Sequence, residues 1–125
     1  MLNSNLSFLF SALLLLPLPA LGQIIPDGSL GAESSRIVPD NINNLPSDRI
    51  TGGANRGVSL FHSFREFNVG EGRAAYFDNP HGIANIFTRV TGGNHSDILG
   101  VLGVQGNANL FYLIPKELSL APMRG

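Results

Sequence analysis

The sequence has no cysteine among its 125 residues, and only 14% of its residues are charged. Without cysteine the chain has no disulfide framework, no thiolate metal site and no cysteine nucleophile. Eight basic and nine acidic side chains give a formal net charge of −1, and like charges do not cluster. The sequence therefore carries no electrostatic footprint for nucleic acid or for an anionic membrane, and we expect no nucleic-acid partner.

Long helical patterns are also missing from residues 50–113. No window there offers about ten residues of helical periodicity free of glycine and proline. Short apolar runs are instead cut at close intervals by Gly-Gly, Gly-Asn and Asn-Pro corners. This pattern predicts an all-β fold of short stacked strands. The strand candidates are residues 58–61, 74–77, 83–90, 98–104 and 109–114.

The corners between these runs are rich in glycine and asparagine, which tolerate the positive φ angles that tight bends need. The segment Ile50-Thr51-Gly52-Gly53 recurs as Val90-Thr91-Gly92-Gly93. Such a repeat is expected where each turn of the chain stacks on the one before it. The predicted structural turns are Gly52, Gly53, Gly92, Gly93, Gly106 and Asn107.

The N-terminal residues 1–22 are predicted to be a signal peptide. An apolar run at residues 6–21 has the length of such a leader and closes on the small residues Ala20 and Gly22. Two prolines near its end favour a cleavage region over a membrane-spanning helix. No lysine or arginine precedes Arg36, which departs from the usual positive n-region, so an uncleaved membrane anchor is the alternative.

Three further segments carry a family resemblance. Residues 60–70 contain an F-x-x-F-N-V pattern, residues 77–100 contain an Asn-Pro pair, and residues 104–111 read VQGNANLF. Together these segments resemble the N-terminal secretion domain of the filamentous haemagglutinin family, large adhesins exported by two-partner secretion. The likeness is closest to cyanobacterial members. It covers roughly half of the chain.

The resemblance implies a right-handed parallel β-helix that is incomplete at its C-terminus. Residues 23–49 would form an N-terminal capping segment that protects a sheet edge, and residues 50–114 the first coils. Residues 115–125 depart from the N-P-N-G-I motif expected of the family. We therefore expect this divergent tail to mark a truncated N-terminal fragment, and a non-functional gene remnant is one alternative.

The resemblance also implies a partner, the outer-membrane transporter of two-partner secretion, whose periplasmic domains would recognise the chain. The expected route runs through the periplasm to the cell surface or the medium, with membrane contact only in transit, and the product is expected to be a monomer without cofactor. The candidate recognition residues are Phe64, Phe67, Asn68, Asn79 and Pro80. These residue types favour a structural interpretation, which does not exclude recognition: two core aromatics, an asparagine that bonds backbone at a bend and a proline-locked turn.

A small secreted carbohydrate-active β-helix enzyme is the alternative from another class of function. Paired carboxylates on one outward face would be needed, but most carboxylates fall in turns or beside arginine, as in Asp48-Arg49. The histidines are too far apart in sequence for a metal site. We expect His62 to face outward from a strand and His81 and His95 to lie in exposed loops. No nucleophile elbow occurs, so we expect no enzyme, catalytic residue or metal. The carboxylates in question are Asp27, Glu33, Asp40, Asp48, Glu66, Glu71, Asp78 and Asp97.

Overall fold

The structure is a computed structural model that describes residues 23–113 and 118–120. The predicted signal peptide and most of the predicted tail lie outside the described residues. The elements in chain order are β1 (Ile24–Pro26), a 3-10 helix (Gly31–Glu33), β2 (Ser35–Ile42), β3 (Leu45–Gly52), β4 (Ala54–Arg56), β5 (Ser59–Phe67), β6 (Ala74–Asp78), β7 (Asn85–Val90), β8 (Ser96–Ile98), β9 (Val101–Gln105), β10 (Asn109–Leu113) and β11 (Leu118–Leu120).

The strands form three sheets, which we call sheets A, B and C. Sheet A contains β5, β7 and β10 in parallel, sheet B contains β3, β6 and β9 in parallel, and sheet C pairs β8 with β11 in parallel. Antiparallel strands cover one edge of two sheets: β1 and β4 lie along β5, and β2 lies along β3. After β5 the chain therefore visits the sheets in turn, and β6, β7, β9, β10 and β11 each pair in parallel with an earlier strand.

The parallel strands stack in register. Ser59 aligns with Asn85, and Asn85 aligns with Asn109, so equivalent positions in sheet A lie beside one another on successive strands. Because side chains alternate between the two faces of a strand, this register keeps every inward residue above an inward residue. Leu60 and Ile86 form one such inward pair, and both are buried.

A bulge in β5 explains how two phenylalanines three positions apart both reach the interior. Simple alternation would send Phe64 and Phe67 to opposite faces. On the neighbouring strand, however, Ile25 aligns with Glu66 and the next residue aligns with Phe64, so Arg65 has no opposite partner. The extra residue shifts the alternation by one. As a result both phenylalanine side chains are completely buried.

The interior is dominated by aromatic rings. Phe64 meets Phe67 edge to face with the ring centroids 5.1 Å apart, and Phe67 stacks on Phe77 at 5.8 Å. Tyr112 from β10 approaches Phe67 edge to face at 5.3 Å. These are the spacings that aromatic pairs prefer, and each fully buried phenylalanine contributes about 1.5–3 kcal/mol relative to an exposed one. The cluster thus joins sheets A and B.

The hairpin between β2 and β3 turns on two asparagines. Ile42 aligns with Leu45, which leaves Asn43 and Asn44 as a two-residue loop, and both have positive φ angles of 54° and 65°. A two-residue loop of this kind matches the twist of an antiparallel pair, and asparagine tolerates the left-handed conformation. Strand β3 continues across the predicted boundary at residue 50, because it belongs both to this hairpin and to parallel sheet B.

The all-β prediction is confirmed. The strand predicted at 74–77 is β6, and that at 109–114 corresponds to β10. The strand predicted at 58–61 extends to Phe67, because β5 pairs with β7 as far as Phe64 and with β1 from Phe64 to Phe67 across the bulge. The strand predicted at 98–104 divides into β8 and β9, because the chain bends at Leu99 and Gly100 and passes from sheet C to sheet B.

The predicted turn glycines differ in what requires them. Gly52 and Gly53 adopt positive φ angles of 73° and 89°. Gly92 does not need a left-handed backbone, but its N–H donates to the Arg65 carbonyl oxygen at 3.1 Å, and a Cβ added at Gly92 would collide with that oxygen. Gly93 has open space around it.

The two neighbouring glycines give a matched pair of substitutions. Gly92→Ala should lower the free energy of unfolding by about 1–3 kcal/mol, because the new methyl group forces the chain away from the bulge at Arg65. Gly93→Ala should change it by less than about 0.5 kcal/mol. Urea unfolding of both variants tests this, and equal effects would contradict the close approach described at Gly92.

Candidate functional site

The predicted recognition residues Phe64 and Phe67 belong to the core. Neither exposes any side-chain surface, since β1 and β7 flank β5 and the aromatic cluster covers the inner face. A partner that touches the folded domain therefore cannot reach either ring. In the folded state these two residues supply packing.

Asn68, which follows β5, joins three regions of the chain. Its backbone N–H and its Nδ2 both donate to the Gln23 carbonyl oxygen, at 2.9 and 3.3 Å. Its Oδ1 accepts the backbone N–H of Asp97 in β8 at 2.9 Å. Asn68 thus fixes the start of β1 and connects the segment that follows β5 to β8. The neighbouring Val69 reinforces this connection through a parallel bridge to Ile98.

Asn79 has the same role at the following corner. Its Oδ1 accepts the backbone N–H of Ala108 at 2.8 Å, and its Nδ2 donates to the Ile83 carbonyl oxygen at 2.9 Å. Pro80 sits in the same turn, where its carbonyl oxygen accepts the Ile83 N–H at 3.1 Å, and its side chain is exposed. Gly106 lies directly against the Asn79 side chain, where a Cβ would collide with it. Asn107 follows in the same bend before β10.

Asn68 and Asn79 therefore use one device. Each amide accepts a backbone N–H from the strand or bend that stacks on it, 29 residues further along the chain. An unpaired buried backbone N–H is unfavourable, so each side chain satisfies a group that the irregular corner would otherwise leave open. We call these two residues the corner asparagines.

A polar network around Asp27 was not predicted as a site. The Asp27 carboxylate, just after β1, accepts hydrogen bonds from Ser63 Oγ at 2.6 Å, Thr91 Oγ1 at 2.7 Å and the Ser29 backbone N–H at 2.9 Å. Arg89 in β7 donates to Ser63 Oγ at 2.7 Å and to Ser29 Oγ at 2.9 Å. The network fastens the N-terminal edge to sheet A. Sequence spacing gives no signal for it, because its members lie up to 64 residues apart.

The charge on Asp27 is stabilised by these donors. Partial burial alone would raise the pKa of Asp27, but the hydrogen bonds from Ser63, Thr91 and Ser29 outweigh it and hold the pKa well below its ordinary value. Asp27 therefore stays ionised in the folded domain at neutral pH.

His62 faces inward, so the prediction of an outward side chain is wrong. The residue is 2% exposed and lies in line with inward Leu60 and Phe64, because the alternation of β5 starts from Leu60 and not from Phe61. Its Nδ1 lies 2.8 Å from the Ser35 hydroxyl at the start of β2. Burial lowers the pKa of His62 to about 4. His81 and His95 are exposed, as predicted.

The outward face of sheet A carries an aromatic ladder and a groove. Phe61, Phe87 and Phe111 occupy one register level and stack with centroid distances of 5.2 and 4.9 Å. A groove of about 420 Å³ lies beside them, with Leu30, Arg56 and Leu113 among its lining. Arg56 is paired with Glu33 at 2.7 Å. The aromatic ladder and the buried phenylalanines thus lie on opposite faces of the same sheet.

The carboxylates on sheet B are paired with arginine. Arg49 bonds Asp40 at 3.2 Å and Asp78 at 2.9 Å, and Arg73 lies 3.7 Å from Asp48. Each of these three carboxylates therefore has an arginine side chain beside it. In residues 23–113 and 118–120, His, Asp and Glu side chains do not gather into a group that could hold a metal ion. A helix long and apolar enough to cross a membrane is also not found in that stretch of the chain.

A comparison with models of protein families gave a match. The family model described as TPS secretion domain matches residues 22–116, which include the F-x-x-F-N-V segment and both corner asparagines. The curated proteins and the solved structures gave no match.

His62 predicts a pH dependence of stability. Its pKa is about 4 in the folded domain against an ordinary value of 6.5, so the folded state resists protonation. The stability it contributes is fully present above about pH 6.5 and is lost as the pH falls towards 4, by up to about 3 kcal/mol. Urea unfolding at about pH 7.5 and about pH 5 should show a large fraction of this loss.

Two variants control this measurement. In His62→Asn the new side chain keeps an acceptor for the Ser35 hydroxyl but does not titrate, so the stability difference between the two pH values should shrink. His81→Asn replaces an exposed histidine and controls for the loss of a histidine as such. Protonation of Asp27 changes the free energy of unfolding at lower pH, because the ordinary pKa of its carboxyl group is 3.8. An unchanged pH dependence in His62→Asn would contradict the assignment.

Proposed function

This chain belongs to the family of TPS secretion domains, the N-terminal domains of two-partner secretion exoproteins, and we propose that its transporter reads the F-x-x-F-N-V segment while the chain is extended. Its role is to target an exoprotein for two-partner secretion, which is a non-enzymatic role, and its partner is the transporter of that pathway. The proposal adds the state of the chain in which recognition occurs and the residues that are read.

The observation that carries the proposal is that the signature side chains already make their contacts within the folded domain. Phe64 and Phe67 expose no surface, and the amides of Asn68 and Asn79 are bonded to neighbouring corners. A transporter that recognises these side chains must therefore meet them before the coils close. Pro80 is the one proposed recognition residue whose side chain is exposed after folding.

The mode of recognition that suits an extended segment is strand addition to the transporter's periplasmic domains. In this mode main-chain hydrogen bonds hold the peptide and pockets receive alternate side chains. Strand β5, the longest of the described strands, has one edge covered by β1 and β4 and the other by β7. Both edges are available only in the unfolded chain. Folding would then replace the contacts with the transporter by contacts within the domain.

We further propose that the stacked strands are the first coils of a right-handed parallel β-helix. The in-register parallel pairs of sheets A, B and C and the parallel bridge at Val69 support successive coils of similar path. The antiparallel strands β1 and β2 support the capping role proposed for residues 23–49, with residues 50–114 as coils. Each coil then offers its free edge as the template for the next.

Residues 1–22 are proposed to be the leader that directs the chain across the inner membrane, from which it reaches the transporter through the periplasm. The TPS secretion domain supports export to the cell surface or the medium. The family resemblance supports an adhesin as the exported protein and a monomer as the form that is read. We assign adhesion to neither the corner asparagines nor the aromatic ladder.

The proposal predicts how export responds to the signature. The double variant Phe67→Ala/Asn68→Ala should lose most transporter-dependent export. It removes a side chain proposed to enter a pocket of the transporter and the amide of a corner asparagine. Loss of a buried phenylalanine also destabilises the fold by about 3–5 kcal/mol. The matched control is Ile86→Ala, which also opens a cavity in the core of sheet A but leaves the signature intact.

Export of the wild-type chain is measured with and without the transporter, and the two variants are measured with it. The expected result is export of the wild type and of Ile86→Ala but not of the double variant. Equal loss in both variants would show that the signature serves folding alone. Retention of the wild-type chain in the periplasm with the transporter present would contradict the proposed function itself.

A further inference from the structure

The interior of sheet A contains a column of polar side chains. His62, Thr88 and Tyr112 occupy the same register level on β5, β7 and β10 and all point inward. Around them the interior is built from apolar side chains, most of them phenylalanine and isoleucine. A polar group in such surroundings is tolerated only when it is hydrogen-bonded, so the partners of each member decide what the column does to stability.

The first member, His62, is satisfied on one side of its ring. Ser35 Oγ lies 2.8 Å from Nδ1 and also accepts the Ser63 backbone N–H at 3.3 Å. Whichever ring nitrogen carries the proton of the neutral imidazole, Ser35 is a partner for Nδ1 and not for Nε2. Among the described residues this Nε2 group has no hydrogen-bond partner on the protein.

The second member, Thr88, is 1% exposed, and its hydroxyl also has no hydrogen-bond partner on the protein among the described residues. The hydroxyl of the third member, Tyr112, is likewise buried without a hydrogen-bond partner on the protein among the described residues. Thr88 is thus the position where a polar atom could be removed with least change of shape, because valine and threonine share a branched outline. Replacing an unpaired buried hydroxyl by a methyl group of the same shape favours the folded state.

We propose that this polar column keeps the first coils weak, so that the signature in β5 remains available to the transporter. The proposal rests on the proposed function, because weak folding is useful only if the extended chain is the form that is read. His62 lies two residues before Phe64 on the same strand. Opening the contact between β5 and β7 at the column therefore frees the segment that carries the signature.

The column acts through desolvation and not through charge. The elements that pack on His62 present Ser35 from β2, Phe64 from β5, Phe77 from β6 and Thr88 from β7. None of these side chains is charged. An apolar column of the same shape would fold more firmly and would withdraw the signature from the transporter earlier.

The test compares Thr88→Val with Thr88→Ser. In urea unfolding of the full chain, Thr88→Val should raise the ratio of folded to unfolded protein about 5- to 30-fold, because an unpaired hydroxyl is removed. Thr88→Ser keeps the hydroxyl and should not raise it. With the transporter present, less of the Thr88→Val variant than of the wild type should be exported. The remainder should accumulate as folded protein in the periplasm.

A second variant separates stability from recognition. Ile86→Val added to Thr88→Val removes one buried methylene group and should return both stability and export towards the wild type. Thr88→Val without any gain in stability, which would follow if a bound water satisfies the hydroxyl, overturns the proposal. Thr88→Val that is stabilised yet exported like the wild type also overturns it. In either case the wild type remains transporter-dependent, whereas failure of the proposed function would remove that dependence.

Discussion

The structure depends on the contact between one corner of the chain and the corner that stacks on it. The amide oxygens of Asn68 and Asn79 each accept a backbone N–H, from Asp97 in β8 at 2.9 Å and from Ala108 in the bend before β10 at 2.8 Å. Parallel strands in register can satisfy their own backbone groups, but irregular corners cannot. The corner asparagines bond the backbone groups that the corners would otherwise leave unpaired, and they thereby align the sheets. The aromatic cluster of Phe64, Phe67 and Phe77 fills the space between these sheets.

The residues that stabilise the folded domain are also those proposed to be read by the transporter, so folding makes them inaccessible to it. The F-x-x-F-N-V segment supplies two core rings and one corner amide, so the folded domain withdraws it from any partner. The N-terminal edge adds a second fastening through Asp27, which holds Ser63 and Thr91. The polar column at His62 and Thr88 acts in the opposite direction, because it lowers the stability of the folded domain. A domain of this size has only a modest net stability, so a single unpaired group is a substantial fraction of it.

Sequence reasoning recovered the features that depend on local pattern and missed those that depend on distant contacts. Glycine and asparagine corners and short apolar runs predicted the all-β class, and β6 was placed to within a residue. His62 was assigned to the wrong face because alternation counted from Phe61 cannot reveal which set of residues is inward. The bulge at Arg65 and the network around Asp27 escaped prediction, because both are set by strands far away in sequence.

The central claim is that the signature is read only while its coil is open, and a chain without native cysteine allows a direct test. Ser59 and Asn85 are register partners on the outward face of β5 and β7, so Ser59→Cys/Asn85→Cys would close a disulfide around the whole signature. Binding of this variant to the transporter's periplasmic domains is measured oxidised and reduced, with Asn85→Cys alone as the control. We expect binding only after reduction. Equal binding in both states would contradict the account.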